Sequence, residues 1–197
     1  MSMSWFPMPD LQGQCVTLRH LKRSDREELT SALADQVDNP WTIVPSDRNF
    51  DRWFGQLEIE EEAQRNWTYA ICGSDGMICG TTSLLRIAQK HRRVEIGRTV
   101  VATIAQRTAV NTECKSLLLH HAFESLGCNV VQFRTDCLNA TSRKAIERLG
   151  ATLEGVLRAH LIMPDGHLRD SAIYSIAKSE WPAVRALLSK KGCLPLR

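Results

Sequence analysis

One segment of the sequence joins an apolar strand pattern, a short polar loop and the start of a helical pattern. The helical pattern begins at the end of the loop, and the first N–H groups of a helix lack partners within it and carry the positive end of its dipole. Such a loop is a candidate phosphate-binding site. The loop residues are Gln106, Arg107, Thr108, Ala109, Val110 and Asn111.

A second polar pair, Asn139 and Ser142, follows another strand pattern and opens a short helical pattern that stops at Gly150. Asn and Ser are both favoured N-cap residues. Their side chains could also serve a substrate bound beside this helix. From the residues alone, helix capping is the interpretation that we favour.

Periodicity and turn residues predict the strands and helices that surround these residues. Alternation of apolar residues predicts strands over 15–21, 67–72, 77–86, 92–101, 130–135, 153–163 and 168–177. Helical spacing predicts helices over 24–35, 50–63, 111–126 and 141–149, and a last one from Ser179. Ser24 and Glu27 predict a capping box for the first helix. This order predicts an α+β (mixed α/β) fold and not a Rossmann fold.

Length and composition predict one domain over residues 1–197. Hydrophobic residues make up 43% and charged residues 24% of the 197 residues, as in ordinary globular proteins. Lys and Arg number 25 and Asp and Glu 22, so the net charge of +3 does not suit a nucleic-acid-binding protein. The basic run 90–93 could form a local basic face, but a solvated turn is the interpretation that we favour.

Targeting and metal signals are weak. No apolar run approaches the about 18 residues of a membrane span, and residues 1–10 lack the basic start of a signal peptide. The expected location is therefore cytoplasmic. The 7 cysteines show no Cys-x-x-Cys spacing, and most stand among apolar neighbours. They predict buried free thiols, without a disulfide framework or a metal site.

Several short motifs stand in one order along residues 11–188. They are Glu95-Ile-Gly97, the loop 106–111, Thr112-Glu-Cys-Lys115, Asn139-x-x-Ser142, Leu149-Gly-Ala151, Glu154-Gly-Val-Leu-Arg158 and Arg169-Asp170. Each motif is weak by itself, but together, on these element types, they resemble the GNAT superfamily of acetyl-CoA-dependent acyltransferases. The branch is similar to the ribosomal-protein N-terminal acetyltransferases.

The resemblance implies a GNAT fold, with a central, mostly antiparallel sheet of about seven strands that is flanked by helices and splayed between the fourth and fifth strands. Acetyl-CoA would lie in that gap, with its pyrophosphate on the loop 106–111. Asn139 would hold the amides of its pantetheine arm. The backbone that would pair with the pantetheine belongs to Thr99, Val100 and Val101.

The loop departs from the family pattern Q/R-x-x-G-x-G/A at two positions, Ala109 and Asn111. A methyl group at Ala109 is expected to restrict positive φ and to crowd a bound phosphate. Asn111 is expected to tolerate the left-handed region or to cap the helix. These changes bear on the affinity for the cofactor and not on the fold.

The implied reaction is direct attack of a primary amine on the thioester. The amine must lose a proton, the tetrahedral oxyanion needs a donor, and the leaving thiolate benefits from an acid. We expect the Ser142 hydroxyl to serve the leaving sulfur. A backbone N–H near Val100 or Val101 would serve the oxyanion.

Glu95 is the candidate base or water-positioning group, on a strand face that alternation assigns to Glu95, Gly97 and Thr99. A structural carboxylate is the alternative. An N-terminal α-amine has a pKa of about 8, so such an acceptor could react without a dedicated base. For acceptor binding, the candidates are Trp41, in an irregular stretch, and His160, which could equally be a satisfied or exposed histidine.

Three functions stay open at this point. The first is acetyl transfer to a protein N-terminus or peptide. The second is the same chemistry on a small amine such as an aminoglycoside, a polyamine or an aminoacyl conjugate, to which the acidic stretch 58–62 could offer a groove. The third is a non-catalytic acyl-CoA-binding module, supported only by Ala109. The expected partners are acetyl-CoA and an amine acceptor, without nucleic acid or membrane, for a monomer or homodimer.

Overall fold

An eight-stranded sheet and five α-helices form the fold of the computed structural model, which describes residues 5–163 and 166–190. The strands are β1 (Leu11–Gln12), β2 (Thr17–His20), β3 (Asn66–Cys72), β4 (Ile78–Ala88), β5 (Arg93–Val101), β6 (Val130–Asp136), β7 (Thr152–Ile162) and β8 (Leu168–Ala177). The helices are α1 (Arg26–Ala32), α2 (Phe50–Glu62), α3 (Val110–His120), α4 (Ala140–Glu147) and α5 (Trp181–Lys190).

The strands lie in the order β1-β2-β3-β4-β5-β6-β8-β7, and every neighbouring pair is antiparallel except β5 and β6. The predicted mixed α/β, mostly antiparallel sheet is confirmed. The strand beyond the predicted ones is β1, whose two residues Leu11 and Gln12 pair with β2. Two residues are too few for alternation to reveal.

Local signals at the first helix were interpreted wrongly. The predicted capping box of Ser24 and Glu27 does not form, because the chain first makes a 3₁₀ turn over Arg23–Asp25. Asp25 instead accepts the N–H of Lys22 at 2.7 Å. The helix α1 then ends at Ala32, before the predicted limit of residue 35.

The long predicted helix 111–126 has two parts. It is α-helical over Val110–His120 and continues as a π-helical turn over His121–Ser125. Gly127 follows with φ +63, a left-handed conformation that suits a helix end. In the last hairpin, residues 164 and 165 of the predicted turn lie outside the described residues.

The two faces of the sheet carry different helices. One face packs against α3, α4 and α5 through a core that includes Val94, Ile96 and Phe133. The opposite face packs against α1 and α2 through a second core that includes Leu29 and Phe54. Below, the first is called the α3 face and the second the α1 face.

Candidate active site

The strands β5 and β6 part halfway along their length. Their parallel pairing runs from Arg93 opposite Val130 to Ile96 opposite Phe133 and stops there. Beyond this point β5 stays paired with β4 and β6 with β8. The gap between the parted segments lies where the family resemblance predicted a splay, between the fourth and fifth predicted strands.

A β-bulge shapes the β5 side of the gap. Ser83 pairs with Gly97 and Thr81 with Val100, so two residues of β5 lie opposite Thr82 alone. The first of the two, Arg98, has φ +49. Because of the extra residue, side chains after Gly97 lie on the opposite face of the sheet from the one that simple alternation assigns to them.

The bulge corrects one prediction about side-chain direction. Glu95 alternates with the core residues Val94 and Ile96 and therefore lies on the α1 face. The Thr99 hydroxyl instead contacts Lys115 of α3. The prediction that Thr99 shares a face with Glu95 is wrong, because simple alternation does not hold across a bulge.

The backbone after the bulge presents a donor to the gap. The Ala102 N–H donates to the Cys79 carbonyl at 2.8 Å, so this residue faces β4. By alternation, Val101 faces away from β4, and its carbonyl accepts the Gln106 side-chain amide at 3.1 Å. Val100 faces β4, since its carbonyl oxygen would lie 2.4 Å from a Cβ at Gly80. Of the two predicted oxyanion donors, the N–H of Val101 is the one directed toward β6.

The loop 106–111 closes the end of the gap. Gln106 ties it to β5 through the bond to Val101, and Arg107 adopts the left-handed region with φ +60. The Thr108 hydroxyl donates to the Ala105 carbonyl at 2.6 Å and accepts the Val110 N–H at 3.2 Å. These contacts hold the loop in one turn immediately before α3.

At the two departures from the family's loop pattern, the backbone conformation differs from the one predicted. Ala109 is the N-cap of α3 with φ −68 and ψ −20, so its methyl group meets no positive-φ restriction. Asn111 is the second residue of α3 and neither caps the helix nor takes the left-handed region. Arg107 adopts the left-handed conformation instead.

At the start of α4, the two predicted polar residues Asn139 and Ser142 make different contacts. Asn139 is the N-cap of α4, and its Oδ1 accepts the Ser142 N–H at 2.9 Å. The capping interpretation is therefore right for Asn139 and wrong for Ser142, whose hydroxyl lies in the first turn. Because β5 and β6 are parallel, the helices α3 and α4 that follow them both begin at the same edge of the sheet, beside the gap.

Glu95 is the centre of a buried ion network. Only 3% of its side chain is exposed. Its Oε1 accepts Arg86 at 2.8 Å, and its Oε2 lies 3.3 Å from the Arg134 guanidinium. The carboxylate is thus compensated by two cations, which neither the alternation nor the motifs had indicated.

His160 is joined to the same network. A guanidinium cannot accept a hydrogen bond, so Arg134 donates to Nε2 of His160 at 3.1 Å. Nδ1 then carries the proton and donates to the Ser171 hydroxyl at 3.0 Å. Burial and the charge of Arg134 lower the pKa of His160, which keeps the ring neutral.

Trp41 lies apart from this network. It is half-buried in the segment between α1 and α2, and its N–H donates to Asn39 at 3.0 Å. Within residues 5–163 and 166–190, no hydrogen bond or ring contact joins Trp41 to β5 or β6. Its role in acceptor binding stays a prediction.

Two kinds of residue were missed. Lys115 is buried beneath the bulge, and its helical spacing with Leu118 and Ala122 could have shown that it belongs to the apolar stripe of α3. Arg134 and Asp136 stand at alternate positions of β6, where charged residues in a buried strand are a signal of a site.

A sheet with one parallel pair that parts beside two helix N-termini defines the class of protein, an acyltransferase of the GNAT type. The chain matches the family described as "Acetyltransferase (GNAT) domain" over residues 16–152, and it belongs to that family. Its acyl donor is acetyl-CoA.

Similar proteins agree with this assignment. "Putative ribosomal N-acetyltransferase YdaF" of Bacillus subtilis (strain 168) is 34% identical over 172 residues, which cover 84% of this chain and 93% of YdaF. The crystal structure of a GCN5-related N-acetyltransferase from Brucella melitensis has a TM-score of 0.84 at 25% identity, covering 92% of this chain and 84% of that one. Mycobacterium smegmatis RimJ, solved with CoA-disulfide, has a TM-score of 0.79 at 22% identity over 94% of each chain and supports the fold.

The described residues contain neither a cluster of metal-binding side chains nor a membrane-spanning helix. Across residues 5–163 and 166–190, no three His, Cys, Asp or Glu side chains are grouped to bind a metal ion. In the same residues no helix has the length and apolar character needed to cross a membrane.

Proposed function

We propose that this protein transfers the acetyl group of acetyl-CoA to the N-terminal amine of a protein or peptide by direct attack on the thioester. The observation that carries the proposal is the gap between β5 and β6, with the Val101 N–H directed into it and the starts of α3 and α4 beside it. The name of YdaF suggests ribosomal proteins as the first acceptors to test.

The donor would bind along one side of the gap. Pantetheine would extend beside the β5 backbone at Thr99, Val100 and Val101, with Asn139 and Ser142 on the α4 side. The pyrophosphate would accept hydrogen bonds from the loop 106–111 and the first N–H groups of α3. The αR conformation of Ala109 supports this, because the methyl group is accommodated without strain. The backbone conformation of Ala109 therefore gives no support to the alternative of a non-catalytic module.

Ser142 and Val101 would act on the reacting atoms. The Val101 N–H would donate to the oxyanion of the tetrahedral intermediate, since a preorganised donor stabilises charge that develops there. The Ser142 hydroxyl would donate to the sulfur as the C–S bond breaks. Because Asn139 already caps α4, this hydroxyl is not needed for the helix.

Glu95 would position the acceptor rather than remove its proton. Arg86 and Arg134 hold its carboxylate in a fixed position by two ion pairs. Of the two predicted roles, the geometry supports the organisation of water and of the acceptor. An α-amine with a pKa of about 8 is sufficiently deprotonated near neutral pH to attack without a dedicated base.

A polycationic small acceptor is not favoured. The acidic stretch 58–62 would have to offer free carboxylates, but Glu58 pairs with Arg23 and Glu60 with Arg98. Glu61 lies 3.0 Å from His20. Glu58 and Glu60 are therefore already compensated by arginines of the same chain, and Glu61 is in contact with His20.

An acceptor screen tests the proposal. Peptides with free N-termini, including N-terminal segments of ribosomal proteins, are incubated with acetyl-CoA beside polyamines and aminoglycosides, and released CoA thiol is measured. The matched control for each peptide is the same peptide with an acetylated N-terminus. CoA release from free-N-terminal peptides alone is the expected result. CoA release only with small polyamines would overturn the proposal. Absence of CoA release with every acceptor tested would also overturn it.

A further inference from the structure

Charged side chains collect on the α1 face where β5, β6 and β8 meet. On β6, Arg134 and Asp136 alternate with Phe133, which belongs to the core on the α3 face. On β8, Arg169 precedes Ser171, which lies opposite Asp136 in the ladder. Glu95 of β5 completes the group. These residues come from three strands that are distant in the sequence.

Part of this group is joined by ion pairs. Arg86, Glu95 and Arg134 form a continuous set of ion pairs. The neutral ring of His160 accepts one further N–H of Arg134. A bulge in β7, with Ala159 at φ +46, places His160 there, and Asp170 fixes the bulge by accepting the Ala159 N–H at 2.7 Å.

Arg169 differs from Arg86 and Arg134, each of which makes a hydrogen bond with its guanidinium group. Only 12% of its side chain is exposed, and its nearest carboxylate oxygen, Oδ2 of Asp136, lies 4.0 Å from Nε. Both Nε of Arg169 and Oδ2 of Asp136 are buried without a hydrogen-bond partner. In the part of the chain that the structure describes, no side chain or carbonyl accepts a hydrogen bond from this guanidinium. A buried N–H group without a hydrogen bond, such as the Nε of Arg169, is costly unless a ligand supplies the acceptor.

The charges of the group point to an anion. Three guanidinium groups, those of Arg86, Arg134 and Arg169, face two carboxylates, those of Glu95 and Asp136, so one positive charge is in excess. The planar fork of an arginine matches a carboxylate through two parallel N–H···O bonds. A carboxylate of the substrate would therefore remove both the excess charge and the missing acceptor.

The place of the group in the fold relates this anion to the acceptor. Arg134 and Asp136 belong to the segment of β6 beyond Phe133, which borders the gap. An acceptor that approaches a thioester held in the gap from the α1 face would pass beside Arg169. Resting on the proposed function, we propose that Arg169, supported by Arg134, binds a carboxylate near the acceptor amine, so that the preferred acceptors are amines with a neighbouring acidic group.

Two sources share this chemistry, an acidic residue next to a peptide N-terminus and the α-carboxylate of a free amino acid. The experiment compares kcat/KM, from CoA release, for matched acceptors that differ only in the charge. Ala-Asp-Ala amide is paired with Ala-Asn-Ala amide, and alanine with alaninamide. A preference of about tenfold or more for the charged member of one pair is expected, as for a charge-assisted hydrogen bond, and the pair that shows it identifies the source.

Variants test the residue. In R169Q the ratio within the preferred pair should fall toward one, and R169K, which keeps the charge but not the fork, should give an intermediate ratio. The matched control R158Q removes an exposed arginine of the same hairpin and should keep the wild-type ratio. Stabilisation by acetyl-CoA, measured for each variant, shows that it is folded.

The outcomes separate the inference from the proposed function. CoA release at equal rates within both pairs would overturn the carboxylate site while acetyl transfer stands. An unchanged ratio in a folded R169Q would overturn the role of Arg169, leaving it as a counter-ion of Asp136. Absence of CoA release with every acceptor would overturn the proposed function itself.

Discussion

The hydroxyl oxygens of Thr82 and Thr99 lie 2.8 Å apart across the β-bulge that opens the gap. Lys115 of α3 donates from below to the Thr99 hydroxyl and, at 3.3 Å, to that of Thr82. The Lys115 ammonium is buried, and this burial lowers its pKa. The segment that directs the Val101 N–H into the gap therefore rests on a desolvated amine.

Replacing this amine should stabilise the protein. Because the pKa of Lys115 is lower in the folded state, the unfolded chain binds its proton more tightly, and the protein gains stability as pH rises toward the unfolded pKa of about 10.5. At pH 7 the buried ammonium is a cost. We expect Lys115→Met to raise the free energy of unfolding at pH 7 by about 1 kcal/mol or more, since the two threonines still bond each other.

Urea unfolding at pH 7 and pH 9.5 measures this effect. The variant should lose most of the alkaline rise in stability that the wild type shows over this interval. Lys144→Met, on the exposed side of α4, is the matched control and should leave the rise intact. If the variant were less stable than the wild type at pH 7, the hydrogen bonds of the Lys115 ammonium group would contribute more than its desolvation costs.

Two glycine substitutions in the loop before α3 are expected to differ in their effect on stability. Arg107 has φ +60, and a non-glycine residue pays a steric cost there, so Arg107→Gly should stabilise the unliganded protein by about 1 kcal/mol. Ala109 has φ −68, so Ala109→Gly relieves nothing and should give no gain. Thermal unfolding of the two variants measures the difference.

Acetyl-CoA binding adds a second measurement for the same loop. Calorimetric titration should show that Ala109→Gly does not tighten binding, because the methyl group sits in an ordinary helical conformation. Tighter binding by the glycine variant would mean that the loop changes its conformation around the pyrophosphate. The φ of residue 109 in the unliganded protein would then be a poor guide to the complex.

Periodicity predicted the elements well where side chains alternate between core and solvent or follow one helical face. The bounds of α2, predicted as 50–63, are Phe50–Glu62, and the predicted strand 130–135 is Val130–Asp136. The gap itself was predicted only through the family resemblance. Alternation failed at Thr99, because a bulge adds one residue and inverts every later side chain.

The charged group on the α1 face could not be assembled from the sequence. Arg134 and Arg169 come together because β8 lies between β6 and β7, an order that no local pattern encodes. His160 reaches Arg134 only through the bulge at Ala159. Residues of this kind become visible as a site when the sheet order and its irregularities are known.

Acid should destabilise the protein partly through His121. Burial lowers the pKa of His121 to about 4, and its Nε2 has no hydrogen-bond partner. The unfolded chain, with a pKa of about 6.5, therefore takes up the proton first as pH falls. The stability that depends on neutral His121 is fully present above pH 6.5 and is lost as the pH falls from about 6.5 to about 4. By pH 4.5 the loss amounts to about 2 to 3 kcal/mol of the free energy of unfolding.

His121→Phe removes the titrating group while keeping a ring of similar shape. Denaturant unfolding from pH 7.5 to pH 4.5 should show a shallower loss of stability for this variant than for the wild type. His91→Gln changes an exposed histidine in a turn and is the matched control. Parallel curves for the wild type and His121→Phe would place the acid sensitivity elsewhere.

Ser142 and Asn139 allow chemistry and helix capping to be separated by two alanine variants. Asn139 accepts the Ser142 N–H and caps α4, so Asn139→Ala should cost about 1 kcal/mol of stability. The Ser142 hydroxyl does not cap α4. If it donates to the leaving sulfur only as negative charge develops there, Ser142→Ala should lower the single-turnover rate by about tenfold or more.

Loss of the Ser142 hydroxyl should have little effect on the bound ground state. The dissociation constant for acetyl-CoA and the melting temperature of Ser142→Ala are expected to stay near the wild-type values, because the interaction strengthens only as the C–S bond breaks. Rapid-mixing turnover with a peptide acceptor, calorimetry and thermal unfolding on one preparation give the three quantities. A wild-type rate constant in Ser142→Ala would remove this hydroxyl from the catalytic group, and the thiolate would then depart without a donor from α4.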